Sequence, residues 1–194
     1  AGHHGILGKA NHYEHGIGVP LLMAGPSIPK GRVIEQLTSH VDLFPTIVGA
    51  MAGEFGKEDA DLPGISLWPA ITGDEVPRAA FAEYHAMGSR NSEFAYRKGD
   101  HKLIYHVGMP RQLFDLAADP REENDLLRDS QVHPTADELE AELRRMVDPE
   151  AIDARSKSEQ AAHMEKFGGI DAVRKEGLFS RSPIPGAKIE LEQV

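Results

Sequence analysis

The sequence has no cysteine. Disulfides, thiolate metal sites and cysteine nucleophiles are therefore excluded from it, and the compartment stays open between cytoplasm and periplasm. No apolar run approaches the roughly 20 residues that cross a bilayer, so no membrane partner is expected. Nor does the N-terminus show the basic-then-apolar order of a signal peptide. Positive charge is also in short supply: 21 Lys and Arg face 31 Asp and Glu, for a net charge of −10. Residues 1–53 are balanced, with three side chains of each sign, so the whole excess lies beyond them. An acidic surface repels phosphate backbones and disfavours nucleic acid as a partner; what it supplies is solubility.

What remains is 40% hydrophobic and 27% charged, the balance of a soluble globular chain. Its 194 residues are enough for one domain or for a piece of a larger one. Residues 1–18, rich in Gly and His, read as loop. Residues 19–25 are a short continuous apolar run, the pattern of a strand buried on both faces of a parallel sheet. No βαβ unit in the chain supplies neighbours for it, which predicts a sheet whose other strands lie upstream of Ala1. A helix is predicted over about 43–52. Pro is tolerated only in the first turn, so Asp42 rather than Ser39 is the expected N-cap. Phe44, Ile47, Val48 and Met51 are the expected buried stripe and Gly53 the C′ residue.

Residues 53–78 are loop-rich. Period-two patterns at 80–84, 93–97, 102–106 and 112–116 then predict a small antiparallel sheet, with Lys98-Gly99-Asp100-His101 as a hairpin connection. Thr135 and Glu138 are an expected capping box for a helix that packs on this sheet through Leu139, Leu143 and Met146. Asp148-Pro149 opens a further helix to about Phe167, stopped by Gly168-Gly169. A short helical stretch ends near Gly177, and residues 178–194 read as an extended tail.

Two chemical motifs fail on inspection. Gly8-Lys9 matches the end of a phosphate-binding Gly-x-x-x-x-Gly-Lys-Ser/Thr loop, but the first Gly position is His3 and Ala10 replaces the hydroxyl residue. His3, His4, His12 and His15, with Glu14 among them, could ligate zinc, yet their spacing matches no helix-borne His-Glu-x-x-His site. Loop histidines are the simpler reading.

A stronger pattern runs through the first half of the chain. Gly2-His3-His4-Gly5-Ile6-Leu7-Gly8-Lys9, Tyr13-Glu14, Val19-Pro20-Leu21-Leu22, Gly25-Pro26 and Val41-Asp42-Leu43-Phe44-Pro45-Thr46 follow one another in an order that resembles the sulfatase family. Gly64-Ile65-Ser66-Leu67-Trp68-Pro69, Ala82-Glu83-Tyr84, Lys102-Leu103-Ile104 and Leu113-Phe114-Asp115-Leu116-x-x-Asp119-Pro120-x-Glu122-x-Asn124 continue it. Beyond Val147 the chain is similar to the end of bacterial choline-sulfatase-like enzymes.

The resemblance implies an α/β protein. The chain would be the C-terminal portion of an alkaline-phosphatase-like fold: 1–78 the end of the large catalytic domain, 79–177 a subdomain of antiparallel sheet and helices, 178–194 a tail. It implies a sulfuric-ester hydrolase acting on a small-molecule sulfate ester, with a formylglycine nucleophile and a divalent metal, usually calcium. A phosphodiesterase or phosphonate monoester hydrolase of the same superfamily, or a non-catalytic binding module, are the alternatives; a homo-oligomer is compatible with the enzyme readings, whereas the binding module is expected to be a complete, monomeric and soluble product. No Cys is present and no Ser heads a Ser-x-Pro-x-Arg motif, so nucleophile and metal ligands are expected upstream, no metal is expected on this chain alone, and the chain alone is expected to be inactive. In the family, the Lys of Gly-Lys-x-x-x-Tyr-Glu contacts the sulfate; here that is Lys9, the implied catalytic and substrate-binding residue. His85, after a strand and before Gly88-Ser89, is a second substrate-binding candidate. Tyr13 and Glu14 read as structural.

Overall fold

The computed structural model describes residues 3–6, 9–51, 53–86 and 89–176. Helices α1 (Glu14–Ile17), α2 (Leu43–Ala50) and α3 (Trp68–Thr72) precede four strands, β1 (Ala79–Tyr84), β2 (Glu93–Lys98), β3 (His101–His106) and β4 (Gln112–Asp115). Helices α4 (Pro134–Met146), α5 (Pro149–Lys166) and α6 (Ile170–Glu176) follow. The chain divides into two compact units, one ending at Pro149 and one beginning at Glu150.

The strands form one antiparallel sheet in the order β1-β2-β3-β4, as the period-two patterns predict. The β2–β3 connection is Gly99-Asp100, where Gly99 takes φ +58°, a conformation that costs glycine little. Register places Phe94 opposite Tyr105, Ala95 opposite Ile104 and Leu103 opposite Leu113. Side chains alternate across a sheet, so Phe94, Tyr96, Leu103 and Leu113 share one face, while Glu93, Arg97, Lys102, Ile104 and His106 share the other.

Helix α4 covers the first face. Ala136, Leu139 and Leu143 are buried, and the rim is tied by Tyr96 Oη donating to Glu142 (2.9 Å), Lys98 Nζ to Glu138 (3.1 Å) and Arg144 to Tyr105 Oη (2.7 Å). The expected capping box does not form. The N-cap lies two residues earlier, at His133, with Pro134 in the first turn; Glu138 is drawn instead to Lys98 across the sheet. Met146, placed on the buried face from its spacing, lies at the helix end and is exposed.

Two earlier expectations are corrected. Residues 19–25 form no strand, and Leu22 is 91% exposed. An extended segment becomes a strand only against a neighbour, and none of the described residues pairs with it. The stripe on α2 also differs: Phe44, Ile47 and Met51 are exposed, and Pro45 and Thr46 are buried. Helix α2 follows a 3-10 turn, His40–Asp42, and its buried side is polar and satisfied. Thr46 Oγ1 donates to the Asp42 carbonyl (2.6 Å) and accepts the Leu67 N–H (2.8 Å). The Thr46 carbonyl accepts Trp68 Nε1–H (2.9 Å). The Asp42 carboxylate, fully buried, accepts from Ser39 N (2.7 Å), Ile65 N (3.0 Å) and Arg78 Nη1 (2.7 Å). This hub fastens the 39–46 stretch to the 64–68 stretch, where Ala70 and Ile71 of α3 add apolar burial.

Helix α5 begins at Pro149, and Gly168 (φ +90°) and Gly169 (φ +85°) follow its end, as the sequence predicts. Pairs four residues apart, Asp153–Lys157 and Arg155–Glu159, run along its surface. The tail 178–194 lies outside the described residues.

Gly64 passes so close to the chain at Val41 that a Cβ there would lie 2.0 Å from the Val41 carbonyl oxygen. Backbone cannot yield as a side chain does. Gly64→Ala is expected to destabilise the protein by about 3 kcal/mol, the upper end for overpacking, read as a lower urea midpoint at unchanged slope. An unchanged midpoint would refute the close approach.

Candidate functional site

The uncovered face of the sheet receives residues 9–17. The turn at their start is closed by the Asn11 N–H donating to the Lys9 carbonyl (2.9 Å). Asn11 Oδ1 then accepts the Tyr13 N–H (3.1 Å), a local side-chain turn of the kind Asn favours. Tyr13 packs edge-on against Phe114 with ring centroids 5.9 Å apart, joining the Ile104, Phe114 and Leu116 cluster.

Lys102 fixes this arrangement. Its side chain is 0% exposed, which lysine tolerates only when paired. Nζ donates to Glu14 Oε1 (2.8 Å) and to the His12 carbonyl (2.9 Å), and pairs with the Glu122 carboxylate. Glu122 is 2% exposed and its other oxygen accepts the Glu14 N–H (2.7 Å). Arg97 Nη1 reaches the far oxygen of Glu14 (3.3 Å). Glu14, Lys102 and Glu122 occur in the sequence as separate pieces of one family pattern; the structure brings them into a single network.

A second cluster lies at the other end of the same face. Glu93 Oε2 is 3.4 Å from His12 Nδ1, and Oε1 is 3.7 Å from His106 Nδ1. Ser89 Oγ donates to Oε1 (3.3 Å). His106 Nε2 meets Gln112 Oε1 (3.3 Å), and Gln112 Nε2 donates to Tyr13 Oη (3.1 Å). Burial works to raise the Glu93 pKa, but the hydrogen bonds and charges of His106 and His12 outweigh it and hold it at about 2. Burial likewise works to lower His106, and the Glu93 carboxylate overrides it, so the imidazole is raised. His12 stands out in the sequence as one of several loop histidines, but nothing there joins it to Glu93, 81 residues further on.

Lys9 is exposed at the open end of its turn. His85 follows β1: its Nε2 is 3.3 Å from Glu83, and its ring lies 5.3 Å from Phe94, a side chain of the α4-covered face. His4 and His15 gather on Tyr13: the His4 ring stacks on it at 4.0 Å, the His15 ring lies 6.0 Å from it, and the two imidazoles are 6.0 Å apart. Among the described residues no three His, Asp or Glu side chains are grouped to hold a metal ion. A hollow of about 450 Å³ opens beside the Lys102 network between β1–β2 and the 17–21 and 36–43 stretches, with Arg97, Glu14 and His40 in its wall; Lys9 does not line it.

A family model described as N-sulphoglucosamine sulphohydrolase, C-terminal, matches residues 2–148. A choline-sulfatase of Rhizobium meliloti (strain 1021) is 36% identical over 121 residues, covering 62% of this chain and 23% of that protein. Arylsulfatase K of Danio rerio is 30% identical over 168 residues, covering 82% of this chain and 31% of that one. The solved structure of a 2-O GAG sulfatase superposes with a TM-score of 0.50 at 26% identity, over 72% of this chain and 30% of that one. The chain thus spans less than a third of the length of each of these three.

Lys102→Met should leave the Glu122 carboxylate buried without its cation, at a cost of about 3–5 kcal/mol. Replacing both, Lys102→Met with Glu122→Met, should cost less than the single change, since no uncompensated charge remains; thermal melts of the two variants decide it. The Glu93 cluster predicts a pH window. Glu93 is depressed from 4.5, so its contribution is present above about 4.5 and fades as the pH falls toward 2. His106 is raised from 6.5, so its contribution is full below about 6.5 and fades as pH rises through the folded value. The stability gap between the protein and Glu93→Gln should therefore be widest between these limits, and a gap independent of pH in denaturant titrations would contradict the pairing.

Proposed function

The chain belongs to the sulfatase family, and on that premise we propose that it is the C-terminal portion of a sulfuric-ester hydrolase acting on a small-molecule sulfate ester. The observation that carries the proposal is the state of Lys9 within its motif. The Tyr13-Glu14 end of Gly-Lys-x-x-x-Tyr-Glu is locked to the sheet through Lys102 and Phe114, while the Lys9 end stays exposed. A rigid anchor three to five residues from a free ammonium is how a loop presents a charge to a ligand.

The chemistry asks for such a charge. Cleaving a sulfate ester builds negative charge on the sulfuryl oxygens and on the departing oxygen, and a preorganised cation stabilises both. Lysine offers this as a compact point charge with three rotatable donors. In this reading the formylglycine supplies the nucleophile, and a divalent metal, taken as calcium, neutralises sulfate charge; both belong to residues other than those described. The apolar run 19–25 and the exposed Phe44, Ile47 and Met51 of α2 are assigned to the seam with the catalytic sheet. A seam of that kind accounts for apolar side chains that stay exposed among the described residues.

Lys9→Ala in the protein that carries this chain should lower turnover of an aryl sulfate by about 10²–10³-fold, with little change in thermal midpoint. Lys9→Arg should restore only part, because a planar fork replaces a point charge. Full turnover in Lys9→Ala would overturn the assignment.

A further inference from the structure

We propose that Glu93 is a positioning residue for Lys9: its carboxylate grips the His12 ring and fixes the Lys9 turn against β2 and β3. The inference rests on the role given to Lys9 above. Three observations carry it.

The first is placement. His12 is three residues from Lys9, directly after the turn that Lys9 opens, and its ring is 2% exposed. Its backbone carbonyl is held by Lys102 on β3 (2.9 Å), while its ring is held by Glu93 on β2 (3.4 Å). Lys102 and Glu122 hold the loop backbone at His12 and Glu14. Glu93 adds a hold on the His12 side chain from the neighbouring strand, which restrains the loop from turning about its backbone holds at the residue nearest Lys9.

The second is closure. From His12 the contacts run through Glu93, His106 and Gln112 and return to Tyr13 Oη. They begin and end on consecutive residues of the loop. Such a circuit fixes the direction in which the loop leaves the sheet.

The third is the demand on the side chain at 93. Its two oxygens meet His12, His106 and Ser89. A carboxylate accepts on both oxygens, whereas an amide has one acceptor and turns an NH2 toward one of these partners. Ser89 also links the group to the connection that precedes β2. The titratable and polar groups around Glu93 are thus His12 from the loop, His106 from β3, Ser89 from the connection, and Gln112 and Tyr13 behind His106.

The test is a double-mutant cycle in the protein that carries this chain, with parent, Glu93→Gln, Lys9→Ala and the combination assayed on an aryl sulfate. Misplacing a catalytic group by about 1 Å can cost on the order of 100-fold, so Glu93→Gln should lower kcat by about 10–100-fold in the parent. In the Lys9→Ala background it should lower kcat by less than about threefold, because what it positions is gone. Glu93→Asp, which keeps the charge, should recover part of the loss. An equal loss in both backgrounds overturns the proposal, since Glu93 would then act on something other than Lys9. No loss with Glu93→Gln, while Lys9→Ala keeps its large effect, overturns the clasp and leaves the role of Lys9 standing. No loss with Lys9→Ala removes the reading of Lys9 and the clasp with it. An NMR titration checks the contact itself: the His106 imidazole midpoint should fall in Glu93→Gln, and an unchanged midpoint refutes the contact whatever the rates do. If Glu93→Gln does not fold, His12→Ala breaks the same contact from the loop side and takes its place in the cycle.

Discussion

A lysine nitrogen sealed inside a protein has to be answered by charge, and that requirement organises this chain. Lys102 sits on a central strand with its side chain wholly covered, and its partners come from a loop before the sheet and a turn after it. Neither partner is local. If the 9–17 loop lifted away, Lys102 would keep only Glu122 as a partner; if the turn at 119–124 opened, Glu14 would lose the acceptor of its own N–H. The ions therefore hold the loop, sheet face and turn in one arrangement. Buried ion pairs are weak contributors to net stability compared with apolar substitutes. Here their effect is better described as register: the loop is fixed at one place on the sheet.

Asp42 repeats the logic on a smaller scale. A buried carboxylate with three donors, one of them Arg78, joins a helix start to a loop 23 residues further on. Glu14, Lys102 and Glu122 of one hub, and Asp42, Thr46 and Ile65 of the other, belong to pieces of the family pattern. Residues scattered along the sequence thus meet in two ionic centres. Glycine at 64 belongs to the same constraint, because the backbone that donates to Asp42 must pass within contact of Val41.

The sheet was legible because its information is local. Strands of alternating pattern, joined by a glycine-bearing turn, pair with their neighbours in sequence, so period two and turn chemistry suffice. The α4 helix was legible for the same reason, though its start was not: with Pro134 in the first turn the N-cap moves two residues, from Thr135 to His133, and Glu138 finds a cation across the sheet. The stretch 19–25 misled because an apolar run reports that burial is wanted and not where the cover comes from. The stripe on α2 misled through Thr46, a polar residue whose burial is satisfied by Asp42, Leu67 and Trp68. Lys9 was visible only through its motif. Glu93 was invisible, since a glutamate at the start of a strand gives no sign that two imidazoles will close on it.

The length of chain between the two carboxylates of the Lys102 network has a consequence for synthesis. Glu14 and Glu122 are 108 residues apart, and ribosomes add about 5–20 residues per second. Once Glu14 is made, roughly 5–20 s must pass before its distant partner exists. The hairpins of the sheet need no such wait, because each strand pairs with the one made just before it. Strands β1 to β3 are therefore made while the ionic centre still lacks one carboxylate. Lys102 precedes Glu122 by 20 residues, and for that last stretch, about 1–4 s, its ammonium must stay in water, which requires the face that will carry the loop to stay open until the turn at 119–124 has been made.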